Sequence, residues 1–265
     1  MKTIFITGSS SGIGKETAKY FASQGWRVIA TMRSPEKETE LTALNNVELY
    51  PLDITEPVQV ESTVCEVLGK FDVDVLFNNA GYGMKSRFED MTEEAMLRSV
   101  DTNILGMVRV TQRFIPFFKK KQQGMILTTT SLAGEMGLIL DGAYAADKWA
   151  VTGLCEVLYH ELAPYNIQVK TIVPGVVKTG FKMEHDAPMD EYKQYVDNQV
   201  KMLMPDMNAL EEVDEVVGDI YAAVTDGDKD RMCYVTGSIT KELYKKRQEM
   251  GDEKFRQYIR SILMA

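Results

Sequence analysis

A short apolar run, Ile4-Phe5-Ile6, breaks into Thr7-Gly8-Ser9-Ser10-Ser11-Gly12-Ile13-Gly14, and a helical pattern over residues 13–24 begins at once. Few local features restrict a fold more. Three to five apolar residues ending in glycines read as a buried strand that stops in a tight turn. Gly8, Gly12 and Gly14 let the backbone bend sharply and come close to a bulky anion. The helix that follows aims N–H groups and the positive end of its dipole at the same point. The turn therefore reads as a cradle for a pyrophosphate, lined by Gly8, Ser10, Gly12, Ile13 and Gly14. An ordinary strand-to-helix turn is the alternative. Either way, a strand of a parallel sheet is handing over to a helix, and the architecture is α/β.

The rest of the chain keeps that rhythm. Apolar runs at 26–31, 47–50, 73–77, 125–129, 169–173 and 233–235 predict six more strands, with helical stretches near 36–44, 56–69, 93–119, 143–163 and 211–224. Strands alternating with helices imply parallel pairing through right-handed crossovers. The expectation is a single doubly wound domain over residues 1–265, with a parallel seven-stranded sheet and helices on both faces. Residues 180–208 break the pattern, with Met183, Met189, Met202, Met204 and Met207 among charges and with Pro188 and Pro205. They read either as an irregular surface excursion or as a helical flap over an apolar ligand, and the flap is favoured because open sheets bind at the carboxyl ends of their strands.

Composition removes other classes. The formal net charge of -9 argues against a phosphate-tracking nucleic-acid surface. No apolar stretch reaches the ~18 residues of a membrane span, and the start lacks the long apolar core of a signal peptide. A cytoplasmic protein is expected. Cys65, Cys155 and Cys233 form no CxxC, and with His160 and His185 they make no metal cluster. They read as small apolar fillers, His160 as a helix-surface residue, and no metal is expected.

Two further features bear on chemistry. The second strand ends in Thr31-Met32-Arg33-Ser34, without the acidic residue that accepts from the ribose hydroxyls of NAD. Arg33 there suits a 2′-phosphate, so NADP(H) is expected over NAD(H), with Ser10 and Ser34 assisting; an exposed loop arginine is the plainer reading. Tyr144 and Lys148 lie four residues apart on a helical pattern, hence on one face. An ammonium beside a phenol favours the phenolate and lowers its pKa, which would suit an acid/base catalyst at a carbonyl. Most isolated pairs of this spacing are a partly buried tyrosine beside a solvated lysine.

These pieces, in this order, resemble the short-chain dehydrogenase/reductase family in its roughly 250-residue, Rossmann-fold form. The resemblance rests on the Thr7-to-Gly14 turn, on Asp53 after the third strand, on Asn78-Asn79-Ala80-Gly81 after the fourth, on Asn103, Ser131, Tyr144 and Lys148, and on Pro174-Gly175-Val176-Val177-Lys178-Thr179 after the sixth. It weakens beyond about residue 180. The resemblance implies that Tyr144 donates or accepts the proton and that Ser131 hydrogen-bonds the substrate oxygen. Lys148 would bind the nicotinamide ribose and lower the Tyr144 pKa, and Asn103 would hold a relay water. It also implies cofactor contacts from Asp53, Asn79, Ala80, Gly81, Pro174, Gly175, Val177 and Thr179. The stretch from Tyr144 to Phe181 is similar to the branch holding hydroxysteroid and retinol dehydrogenases.

One position departs from the family, which usually has serine or another small residue before the lysine; here it is Asp147. Consecutive helix positions point about 100° apart, so Asp147 is expected outside the site. Glu135, Met136, Leu138, Ile139, Tyr82, Met84 and Phe181 are expected to line an apolar pocket for a ketone, aldehyde or secondary alcohol. The resemblance implies a homodimer or homotetramer built on the two long helices, where Ile115, Phe117, Trp149, Leu154 and Leu158 could serve the interface or the core. Two readings compete: an epimerase or dehydratase of the longer, extended relatives, against which the short length and the Gly-x3-Gly-x-Gly spacing argue, and an NADPH-binding sensor without turnover.

Overall fold

The protein is represented by a computed structural model that describes every residue except 182, 186–189 and 207–209; Pro188, Met189 and Met207 of the expected flap lie outside the described residues. The elements run β1 (Thr3–Thr7), α1 (Gly12–Ser23), β2 (Arg27–Met32), β3 (Val47–Pro51), α2 (Pro57–Lys70), β4 (Val75–Asn78), β5 (Gly83–Lys85) and α3 (Glu93–Val100). A π-helical turn (Asp101–Gly106) joins α3 to α4 (Met107–Lys121), followed by β6 (Gly124–Thr129), α5 (Gly142–Leu162), β7 (Ile167–Val173) and β8 (Met183–His185). The chain continues through α6 (Lys193–Leu203), α7 (Val213–Thr225), β9 (Cys233–Val235), α8 (Ser238–Met250) and α9 (Asp252–Leu263).

All seven expected strands form one parallel sheet in the order β3-β2-β1-β4-β6-β7-β9. Alternation along β1 shows how both faces are covered. Ile4 and Ile6 join Ala18, Phe21, Val216 and Ile220 from α1 and α7 on one face. Phe5 joins Val64, Val110, Phe114 and Val151 from α2, α4 and α5 on the other. Strand order reverses between β1 and β4, so a crevice opens where both strands end, at Thr7 and Asn78.

The structure corrects several expectations. Residues 36–44 hold two short 3-10 turns, Pro35–Lys37 and Leu41–Ala43, because too few apolar residues are present to bury a full helix there. The helix expected over 93–119 is interrupted by the π turn. Helix α6 lies inside the segment read as a helical flap. Helices α8 and α9 were not foreseen; Leu243, Phe255, Ile259 and Leu263 pack with Leu132 and Met136, closing a small core of their own. A short parallel pair, β5 with β8, ties the flap to the loop after β4. Cys155 is buried, but Cys65 is exposed on α2 and fills nothing. Among the described residues no helix is long and apolar enough to cross a membrane.

Candidate active site

The glycine turn is shaped by contacts that leave no room for side chains. Gly8 and Gly12 take φ of 72° and 56°, the left-handed region that favours glycine. A Cβ on Gly14 would lie 2.3 Å from Gly8 O and 2.5 Å from Asn79 Nδ2, and one on Gly8 would lie 2.7 Å from Ala80 Cα. Thr7, which the sequence reading left out of the site, is the joint: its Oγ1 accepts from the backbone N–H of Asn79 at 3.0 Å and of Ala80 at 3.1 Å. Asn79 Nδ2 donates back to Thr7 O and Gly8 O, both at 3.2 Å. The Asn79-Ala80-Gly81 loop and the turn are thus one unit. Ser11, the N-cap of α1, gives its first turn no side-chain cap, and no acidic residue sits in that turn. Its N–H groups are left for an anion, so the cradle fits a dinucleotide pyrophosphate.

Residues after β7 close the other side. Pro174 O accepts from Leu132 N at 2.9 Å, and Gly175 lies so close to Thr240 that a Cβ would sit 2.0 Å from its Oγ1. Val177 bridges to Glu211, and Thr179 lies over the turn, 3.4 Å from where a Cβ of Gly12 would be. Arg33 is exposed at the end of β2 and makes no ion pair among the described residues. Asp53 follows β3, and its Oδ1 accepts from Thr55 N at 3.0 Å and Thr55 Oγ1 at 2.7 Å, so its structural role is a local turn.

Ser131, Tyr144 and Lys148 converge. Helix α5 carries the last two, and Leu140, just before it, is held in the left-handed region at φ 68° by the bond from Ser86 N to its carbonyl. A bulky residue there stores ~1–2 kcal/mol of strain, and it sets the angle at which α5 enters. The Ser131 hydroxyl faces the Tyr144 phenol and favours its ionised form, and it accepts from Ala133 N at 3.1 Å. Lys148 is buried and donates to Thr129 O at 2.9 Å, with its Nζ 5.7 Å from the Tyr144 ring centroid.

The electrostatics differ from expectation. Burial raises the Tyr144 phenol to about 12, the Ser131 hydroxyl opposing this and the Asp141 and Asp147 carboxylates adding to it. Burial also lowers Lys148 to about 8, against the support of Asp147. In the protein alone, desolvation is the largest influence on both groups and drives each toward its neutral form. Asp147 does not face solvent. It is fully buried, and its Oδ2 accepts from Ser99 Oγ and from Asn103 Nδ2, the latter at 2.8 Å. The Asn103 side chain, expected beside a relay water, also clamps the backbone of Tyr82, accepting from its N–H and donating to its C=O, both at 3.0 Å.

The expected pocket lining divides. Phe181 stands 6.1 Å, centroid to centroid, from the Tyr144 ring, and Phe181 and Met183 crowd Gly83. Met84, by contrast, is buried with Ala95 and Ala143, and Met136 is buried under α8 and α9, so both belong to the scaffold.

A nucleotide cradle beside a hydroxyl, a phenol and a buried ammonium narrows the possibilities, and comparison with known proteins decides. The short chain dehydrogenase family profile matches residues 2–190. The chain belongs to that family. Among its short-chain dehydrogenase relatives, a 3-ketodihydrosphingosine reductase of Bacteroides thetaiotaomicron is 36% identical over 67% of this chain and 65% of its own length. Human retinol dehydrogenase 8 is 35% identical over 68% of this chain and 60% of its own. The chain thus spans somewhat under two thirds of these two relatives. A solved short-chain dehydrogenase from Streptomyces avermitilis superposes with a TM-score of 0.85 at 25% identity, covering 94% of both chains. Other solved chains of this fold hold NADP or NAD.

Proposed function

We propose that this protein is an oxidoreductase that moves hydride between NADP(H) and an apolar ketone, aldehyde or secondary alcohol, with Tyr144 as general acid and base. The observation that carries the reading is the convergence of Ser131 and Tyr144 with the buried ammonium of Lys148 beside the glycine cradle. When bound, the cofactor supplies or accepts the hydride. The protein's own residues do the rest. Gly8, Ser10, Gly12, Ile13 and Gly14 hold the pyrophosphate, and Asp53, Asn79, Ala80 and Gly81 seat the adenosine side and the ring. Pro174, Gly175, Val177 and Thr179 orient the nicotinamide. Lys148 keeps one N–H on Thr129 and has others for ribose hydroxyls. Ser131 hydrogen-bonds the substrate oxygen, and Tyr144 delivers a proton to it. With its phenol raised to about 12, Tyr144 holds its proton at neutral pH, the form that carbonyl reduction draws on, and a fall of that value toward the working pH on cofactor binding would make it the better acid.

Two features favour the finer assignments. Arg33, exposed and without an ion pair among the described residues, is free for a 2′-phosphate. Phe181 over Tyr144, and relatives named for retinol and for 3-ketodihydrosphingosine, favour a long apolar substrate. Trp149, Leu154 and Val157 are exposed along α5, which suits pairing into a homodimer or homotetramer. The deciding experiment follows NADPH consumption with a panel of apolar ketones and aldehydes, for the wild type and Tyr144→Phe. Turnover lost on that substitution supports the enzyme; tight NADPH binding with no turnover anywhere supports the sensor. Arg33→Ala should narrow the gap between NADPH and NADH affinity, and an unchanged ratio refutes the NADP assignment.

A further inference from the structure

We infer that Asp147 is a positioning residue, whose buried carboxylate orients Asn103 to clamp the Tyr82 loop and keeps the Lys148 ammonium charged for the dinucleotide. The inference rests on the proposed role of Lys148 toward the cofactor ribose and deepens it.

The hydrogen-bond directions are forced. The backbone N–H of Tyr82 can only donate, so the Asn103 atom facing it at 3.0 Å is the amide oxygen. The Asn103 amide nitrogen then gives its two protons to Asp147 Oδ2 at 2.8 Å and Tyr82 O at 3.0 Å, with Ser99 Oγ a longer contact at 3.3 Å. The Ser99 hydroxyl donates to Asp147 Oδ2. Two donors therefore meet on one carboxylate oxygen, the arrangement of an anion, and with Lys148 they oppose the burial that raises this carboxyl above its ordinary value. Asp147 Oδ1 is buried with no hydrogen-bond partner. Such a charge is costly unless compensated, and the cation beside it is Lys148, whose charged form Asp147 supports.

The clamp reaches the cofactor loop directly. A Cβ on Gly81 would lie 2.8 Å from Asn103 Oδ1, so the loop is pressed against this amide. The other groups around Asp147 are few. Its own helix presents Tyr144, on which Asp141 also acts, and Lys148. The loop after β4 presents Tyr82, which also feels Arg98 of α3 and Glu184 of β8. Helix α3 and the π turn present the neutral Ser99 and Asn103.

Asp147→Asn and Asp147→Ala separate the two roles. Asparagine can still accept from Ser99 and Asn103 but carries no charge; alanine does neither. The probes are NADH and NADPH, titrated by nicotinamide fluorescence from pH 6 to 10, alongside thermal unfolding. In the wild type, affinity should fall as pH rises through about 8, where Lys148 loses its proton. In Asp147→Asn that fall should move to lower pH by ~0.5 unit or more, because a supporting anion is gone. Asp147→Ala should in addition weaken binding ~10-fold at pH 6, and asparagine should restore most of that loss. An Asp147→Asn profile superimposable on the wild type would overturn the charge role, and equal affinity of the alanine and wild-type proteins at pH 6 would overturn the clamp. None of these readouts requires turnover, so failure of the carbonyl panel would be a separate result.

Discussion

Replacing Gly14 by alanine tests whether the cradle is closed by contact. Alanine is ordinarily the better helix residue, worth ~1 kcal/mol over glycine inside a helix. Gly14 lies in the first turn of α1, yet its Cβ would be 2.3 Å from Gly8 O and 2.5 Å from Asn79 Nδ2. Neither neighbour can step aside cheaply: one is backbone, and the other is the amide that ties the two loops together. A methyl group wedged there adds ~1–3 kcal/mol of overpacking and breaks the Asn79-to-Gly8 bond, worth ~1 kcal/mol. Set against the helix gain, the net loss is about 1–3 kcal/mol, or roughly 3–10 °C in Tm for a domain of this size. Gly69 is the control. It lies in α2 with nothing within 4 Å of its Cβ position, so Gly69→Ala should stabilise by ~0.5–1 kcal/mol. Urea unfolding reads the stabilities, and NADPH fluorescence reads the cradle, where Gly14→Ala should weaken binding at least ~10-fold and Gly69→Ala should not change it. Equal stability of the two variants, with unchanged NADPH affinity, would refute the argument.

Three other outcomes are expected. Glu211 is buried with Oε1 unpartnered, and burial raises its carboxyl above the ordinary value. Its contribution to stability is then fully present below the unfolded value and lost as pH rises through the folded one, so Glu211→Gln should gain on the wild type with rising pH in chemical unfolding, and a pH-independent difference would contradict this. The nearest atoms to a Cβ on Gly83 would be Met183 Sδ at 2.2 Å and Met183 Cε and Phe181 Cε1 at 3.0 Å, all on side chains that can shift; Gly83→Ala should leave Tm nearly unchanged while raising KM for an apolar carbonyl severalfold, measured by steady-state kinetics. Lys170 is fully buried and donates to Ala223 O, Asp226 Oδ1 and Tyr234 OH. Lys170→Met should cost ~1–3 kcal/mol in urea unfolding, at the low end of buried-pair losses because Asp226 is partly exposed.

Much of this molecule was legible locally. The seven strands announced themselves because strands covered on both faces must be apolar throughout, as Ile4-Phe5-Ile6 is. Local reading failed in two places. Residues 36–44 are charged enough to suggest a helix but have little to bury. Helix α9 was passed over although Phe255, Ile259 and Leu263 recur every fourth residue; what the sequence hides is the cover of that stripe, Leu132 and Met136, more than a hundred residues away. The substrate wall was misjudged for a related reason: residue type marks Met84 and Met136 as apolar but does not say which neighbour claims them.

The sequence alone determined the parallel α/β plan, the glycine cradle and the shared helix face of Tyr144 and Lys148, because these depend on short-range geometry; Ser131 joined the pair through the family resemblance. Only the tertiary structure decided the state of that site. Helical spacing correctly placed Asp147 a third of a turn away from Lys148, yet that flank is occupied by Ser99 and Asn103, 48 and 44 residues distant in the chain. Burial by such distant elements, rather than the nearness of Lys148, sets Tyr144 near 12 and Lys148 near 8. Spacing fixes direction along a helix, but what stands in that direction, and how much water it removes, is a property of the packed whole.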